Sequence, residues 1–297
     1  MSGAMSIILI VVTIVTLIWS LWLILWSGRQ GPALSEETTG HEWDGLKEGN
    51  NPLPRWWLGL FVITLVWGFG YLLWYPGMGS LQGFGGWSQH GAYDEEVAAA
   101  EAQYGPLFAQ YAELPTEELL QNNDALNIGR SLFANYCSQC HGSTGYGAPS
   151  FPNLADDDWL YGDSLESIQM TILNGRLGIM PALGAVLSAE GELDDMVDYV
   201  RNMSAGQDTT TAVHTKYVAL CSACHGADGS GNQMLGGPAL NDDIWLHGSG
   251  PDVVRDIIVN GRQNRMPAHR QLVGEDRARL MAAYVRSLSA ARQRSGD

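Results

Sequence analysis

The sequence predicts an all-α chain in which two membrane-length helices precede two tandem copies of one small helical module. Two uncharged runs of 20 residues, at 7–26 and 56–75, predict the helical spans. A set of motifs recurring at offsets of 84–86 residues predicts the duplicated module. No strand-like alternation accompanies these motifs, so the modules read as helical. The chain of 297 residues divides accordingly into a first transmembrane helix (1–30), an acidic loop (31–55), a second transmembrane helix (56–76), a linker (77–123) and two modules (124–208 and 209–297).

At about 1.5 Å of rise per residue, each run is long enough to cross roughly 30 Å of hydrocarbon. Neither holds His, Asp, Glu, Lys or Arg, so neither contains a group to bind a metal or relay a proton. Trp22 and Trp26 stand near the end of the first, and Trp56, Trp57, Trp74 and Tyr75 at the ends of the second. Such rings favour the headgroup boundary. No basic residue precedes the first run and no small-x-small site follows it, so it reads as a retained anchor rather than a cleaved signal. Arg29, Lys47 and Arg55 lie between the runs. Residues 1–6 have no Lys or Arg, and the first basic side chain after Tyr75 is Arg130. This places the loop in the cytoplasm and both termini outside.

In the linker, Gly77, Gly79, Gly83, Gly85 and Gly86 with Trp87 predict an irregular stretch, and residues 94–110 a helix that ends near Pro115. His41 and His90 read as ordinary polar residues. A formal net charge of -16 argues against a nucleic-acid partner, whose phosphates require basic groups. The charge is uneven. Residues 76–208 hold 3 basic against 19 acidic side chains, and residues 209–297 hold 10 against 8. The acidic first module, with Glu192, Asp194 and Asp195, is either a solvated face or a surface that steers a cationic partner.

The repeat carries the chemistry. Cys137-Ser138-Gln139-Cys140-His141 matches Cys221-Ser222-Ala223-Cys224-His225, and Trp159-Leu160-Tyr161-Gly162 matches Trp245-Leu246-His247-Gly248. Asn174-Gly175-Arg176 recurs as Asn260-Gly261-Arg262, Met180-Pro181 as Met266-Pro267, and Tyr199-Val200-Arg201 as Tyr284-Val285-Arg286. CxxCH is the attachment signature of haem c: two thiols add to the vinyl groups and the adjacent His reaches the iron. A module of about 80 residues buries little core by itself, and a flat apolar macrocycle supplies what is missing. Zinc pairs lie some 12–20 residues apart, whereas Cys140 and Cys221 are 81 apart. A thioredoxin-like pair needs a βαβ setting that is absent here.

Met180 lies 39 residues after His141, and Met266 lies 41 after His225; both precede proline, which fixes the backbone beside the sulfur. They are the expected sixth ligands, with Met170 and Met234 as rivals. Trp159 and Trp245 either bond a haem propionate or pack on the ring edge; Arg176 and Arg262 either neutralise a propionate or face solvent. The closing helices, 191–203 and 275–288, carry Tyr199 and Tyr284. Gly129 and Phe133 on the first helix, 124–136, allow a close helix crossing; the second copy has Val213 and Tyr217 there, which predicts a wider one.

Each copy resembles a class I cytochrome c domain. The whole chain resembles the dihaem subunit III, of the CcoP/FixP type, of cbb3-type cytochrome c oxidases. Besides the two modules, the residues carrying this are Asn50-Asn51-Pro52-Leu53-Pro54-Arg55-Trp56-Trp57, Trp74-Tyr75-Pro76-Gly77 and Gly86-Trp87. The resemblance implies two covalently attached haems c, one iron held by His141 and Met180, the other by His225 and Met266. It implies a bacterial inner-membrane location with two spans and periplasmic haem domains. It also implies electron transfer from a donor cytochrome c, through this subunit and a monohaem cytochrome c subunit, to a haem-copper catalytic subunit. A free-standing membrane-anchored dihaem cytochrome is the alternative.

Overall fold

The computed structural model describes residues 2–27, 38–49 and 54–295, with side chains to residue 289. Arg29 and residues 50–53 lie outside the described residues. The chain forms two compact units, Met1–Gln103 and Tyr104–Asp297.

In the first unit, α1 (Gly3–Ser27) and α2 (Arg55–Trp74) contain the two apolar runs, with mean hydropathy of 2.8 and 1.8. α2 buries no side chain and α1 buries only Ser6 and Ile24, so both present apolar surface all round, as a helix in lipid does. They pack as an antiparallel pair. Ser6, near the start of α1, bonds Ser80, just past the end of α2, with the two hydroxyls 2.8 Å apart and Ser80 N–H donating to Ser6 Oγ at 2.7 Å. Between them runs a hairpin, β1 (Thr38–Trp43) and β2 (Leu46–Gly49), turned by Asp44 and Gly45 at φ 50° and 84°. Two successive left-handed residues make the turn that matches strand twist. This hairpin departs from the all-helical expectation, although Asp-Gly is its usual sequence signal. The glycine-rich stretch after α2 folds back on the helix end, with Phe84 and Gly85 N–H bonded to Leu73 and Trp74 carbonyls and Trp87 edge-on to Tyr75.

α3 (Gln89–Ala112) begins earlier than the sequence predicts because Ser88 caps it, its Oγ accepting from Gly91 N–H at 2.9 Å. The short α4 (Thr116–Leu119) follows Pro115. Then come α5 (Asn123–Tyr136), α6 (Ser138–His141), α7 (Leu165–Asn174), β3 (Arg176–Met180) and α8 (Glu192–Arg201). The second repeat supplies α9 (Ala212–Leu220), α10 (Ser222–His225), α11 (Pro251–Asn260), β4 (Arg262–Met266) and α12 (Arg270–Ser295), the last kinked at Gly274. Asn122, Ser164 and Thr211 cap α5, α7 and α9.

The repeats are intertwined. β3 and β4 pair antiparallel in full register, from Arg176 opposite Met266 to Met180 opposite Arg262. Five extended residues carry the chain about 16 Å, and each strand hands the next segment of chain over to the other repeat. One core joins Phe133, Leu165, Ile168 and Ile172 of the first repeat to Val273, Leu280, Met281 and Val285 of the second. The other joins Leu187, Met196, Val197 and Val200 of the first to Tyr217, Val254 and Ile258 of the second. So α12 closes α5 and α7, and α8 closes α9 and α11. The expectation that each copy closes on its own last helix is not what the structure displays; the exchanged helices fill equivalent places because the copies are alike.

Two glycines make the crossover possible. Gly175 and Gly261 end α7 and α11 at φ 68° and 71°. A Cβ on Gly175 would stand 2.4 Å from the Met266 carbonyl oxygen, and one on Gly261 2.5 Å from that of Met180. Each turn thus leaves no room between a helix end and the opposite strand.

Candidate functional site

α5 ends at Cys137 and α9 at Cys221, and each begins the single turn that carries the rest of its motif. Cys140 and Cys224 are exposed, Cys137 and Cys221 half-buried, and all four are free thiols. Burial, reinforced by the neighbouring Cys140, pushes the Cys137 thiol up to about 11; burial and Cys224 do the same for Cys221.

His141 and His225 are buried, each 8% exposed. His141 Nδ1 lies 3.0 Å from the Pro152 carbonyl oxygen, and His225 Nδ1 3.0 Å from that of Pro238. The carbonyl accepts only, so the proton sits on Nδ1 and Nε2 keeps its lone pair for a metal. Burial lowers both pKa values, against the raising effect of these carbonyl bonds, and His269 lowers that of His141 further. Both rings therefore stay neutral. Pro152 and Pro238 were not singled out in the sequence, although they recur at the repeat offset; a carbonyl's partner is invisible in residue identity.

The methionines follow the crossover. Met266 packs in the core that holds Cys137 and Trp159, and Met180 in the core that holds Cys221 and Trp245. The segment after each confirms the lodging: His269 N–H donates to Ile172 O at 3.0 Å, and Leu183 N–H to Ile258 O at 2.8 Å. The pairing expected from the resemblance, Met180 with His141 and Met266 with His225, is not the one the structure brings together: Met266 shares a core with Cys137, and Met180 with Cys221. The rivals lie elsewhere: Met170 is 50% exposed on α7, and Met234 is 91% exposed.

The arginines differ. Arg176 lies over the Tyr161 ring at 4.2 Å and donates from Nε to Thr171 Oγ1 at 2.9 Å. Arg262 reaches Asp256 at 3.5 Å, while its buried Nε has no protein partner. The acidic α8 is tied to the second repeat through ion pairs of Glu192 with Lys216 and Asp194 with Arg255.

Known families match the second apolar helix with its flanking segments and each of the two repeats. Residues 35–82 match the family described as the N-terminal domain of cytochrome oxidase-cbb3, FixP, and residues 124–200 and 208–285 each match that of cbb3-type cytochrome c oxidase, subunit III. The chain is 40% identical over 282 residues to the cbb3-type cytochrome c oxidase subunit CcoP of Rubrivivax gelatinosus, covering 94% of this chain and 92% of that protein. It is 37% identical to subunit FixP of Azorhizobium caulinodans (88% and 94% covered) and 34% identical to subunit CcoP of Cereibacter sphaeroides (84% and 94%). The chain belongs to the CcoP/FixP family. Membership in the CcoP/FixP family makes it an electron-transfer subunit of a cbb3-type oxidase and implies haem c. The residues present fit that group. Each site joins two free thiols at the attachment spacing, a buried imidazole with Nε2 available and a thioether, and the partnerless Nε of Arg262 suits an anionic propionate.

Proposed function

We propose that this chain carries two haems c in a crossed arrangement and relays electrons through them within the oxidase. One site comprises Cys137, Cys140, His141 and, across the ribbon, Met266. The other comprises Cys221, Cys224, His225 and Met180. The observation that carries the reading is that each methionine shares a core with the cysteine of the opposite repeat. Haem c supplies a one-electron ferrous/ferric couple whose potential a thioether ligand raises.

The chain's own residues orient and exclude. The Pro152 and Pro238 carbonyls fix the imidazole planes. Pro181 and Pro267 stiffen the segments that present sulfur. With a His and a Met holding each iron, no coordination position would remain for a substrate, which suits these sites to electron transfer, with oxygen reduced elsewhere. Arg262 is assigned to a propionate; Trp159 and Trp245 line the cores beside the attachment cysteines.

The partners proposed are a monohaem cytochrome c subunit, a haem-copper catalytic subunit and a donor cytochrome c. The free-standing carrier is set aside because likeness to oxidase subunits spans the anchor and both repeats. The proposed setting is a bacterial inner membrane, with both haem domains and both termini periplasmic. The Ser6–Ser80 contact supports this by putting the outer ends of α1 and α2 on one side, and the basic residues of the intervening loop support its orientation.

Haem counting tests the assignment. This chain, separated from its partner subunits under denaturing conditions, should carry two covalent haems by pyridine haemochrome assay. Replacing both Cys137 and Cys140 by Ala should leave one; retention of two would sink it.

A further inference from the structure

Three matched positions around the ribbon differ between the repeats. Ser150 and Gly236 share one backbone conformation, with φ of 73° and 71°. Tyr161 corresponds to His247, and Gly178 to Asn264, its partner in the strand register. Around Gly236 the fit is made by packing: a Cβ there would stand 2.2 Å from the Tyr161 ring.

At the other end it is made by hydrogen bonds. His247 Nε2 lies 3.0 Å from Asn264 Nδ2, and His247 Nδ1 3.0 Å from Ser150 Oγ. The Asn264 amide N–H donates, so Nε2 accepts and Nδ1–H donates to the Ser150 hydroxyl. Burial first, then the Arg262 guanidinium, hold the ring's pKa below its usual value, which agrees with a neutral His247. Ser150 adopts a left-handed conformation that is unfavourable for a residue with a Cβ. The second repeat uses glycine there. Serine is tolerated where its N–H donates to Leu246 O at 3.0 Å and its hydroxyl meets His247.

The location gives this bridge its meaning. Ser150 stands two residues before Pro152, whose carbonyl holds His141. Asn264 stands two residues before Met266. We propose that His247 is a positioning residue that ties the loop orienting His141 to the strand presenting Met266, and so sets the potential of that one haem apart from the other. This rests on the crossed ligand reading above. A strand anchored at Asn264 would hold the Met266 thioether firmly toward a haem bound at Cys137 and Cys140, and a firmly held thioether would favour the reduced state.

The test uses the intact complex. His247→Phe keeps a ring but removes both hydrogen bonds, whereas His247→Gln retains a donor and an acceptor. The Phe variant should lower the midpoint potential of one haem, leave the other unchanged, and make the near-infrared thioether band of one ferric haem fade at a lower temperature. The Gln variant should recover most of the shift. Unchanged potentials in the Phe variant, or equal shifts in Phe and Gln, would overturn the proposal. Met266→His, measured alongside, identifies the haem that Met266 serves. The same haem should answer both changes. A response of the Cys221-linked haem to Met266→His would overturn the crossed ligand assignment instead.

Discussion

In the first lobe a glycine brings two helices into contact; in the second, tyrosines and ion pairs fasten them. Gly129 on α5 faces α12 so closely that a Cβ would stand 2.3 Å from the Leu280 carbonyl oxygen, and Phe133 beside it packs on Tyr284 with ring centroids 5.4 Å apart. The matched positions on α9 are Val213 and Tyr217. Tyr217 is fully buried, donates its hydroxyl to Gly226 O at 2.9 Å and packs against Tyr199, whose own hydroxyl reaches Gln207 and His214. Lys216 and Arg255 then hold α8 by its acidic first turn. At the helix crossings the two CxxCH motifs are therefore supported by different means, a glycine contact on one side and buried tyrosines with ion pairs on the other, although Arg286 also pairs with Asp163 at 2.7 Å on the first side. Family membership implies haem c, and on the proposed reading the surrounding helices hold the two attachment motifs by different contacts.

The strongest way to break this comparison is to place a methyl group at the tighter crossing. Gly129→Ala should cost about 1–3 kcal/mol, the usual range for overpacking, because the obstacle is backbone and cannot swing aside. Thermal unfolding followed at the thioether band should show one haem losing its ligand early and the other keeping it. Simultaneous loss would mean that the lobes do not differ in this way.

A smaller effect sharpens the comparison at the next matched pair, Asp158 and Ile244. Burial, then Asp242 and Asp156, push the Asp158 carboxyl up to about 6. A group whose folded pKa is raised supports folding below its unfolded value near 4, and that support is lost as pH rises through about 6. Asp158 thus opposes folding at pH 7.5. Asp158→Asn should stabilise the chain there by on the order of 1 kcal/mol, discounted for its partial exposure, and should flatten the stability profile between pH 4 and 6. Denaturant titration at pH 4.5 and 7.5 measures both. An equal gain at the two pH values would remove the electrostatic explanation.

Much of this was legible in the sequence. An uncharged run of 20 residues has few ways to fold other than across a bilayer, and CxxCH followed by Met-Pro in duplicate names its cofactor. Gly129 and Phe133 announced a close crossing, but not with which helix. The exchange itself left no trace, because α8 and α12 carry the same Tyr-Val-Arg pattern and each satisfies the local requirements of either lobe. Strand pairing between Arg176–Met180 and Arg262–Met266 is a contact over more than eighty residues, and neither segment alternates clearly enough to advertise it. The role of His247 cannot be read from its place opposite Tyr161 in the repeat, because Ser150 and Asn264, which meet its two nitrogens, lie 97 and 17 residues away in the chain.

The crossed ligation is tested most directly in a chain with a single haem. With Cys221 and Cys224 both replaced by Ala, only the Cys137–Cys140 haem remains, and its ferric near-infrared band reports one thioether. Met266→His in that background should abolish the band, and Met180→His should leave it intact. Loss of the band with Met180→His and its survival with Met266→His would contradict the crossing.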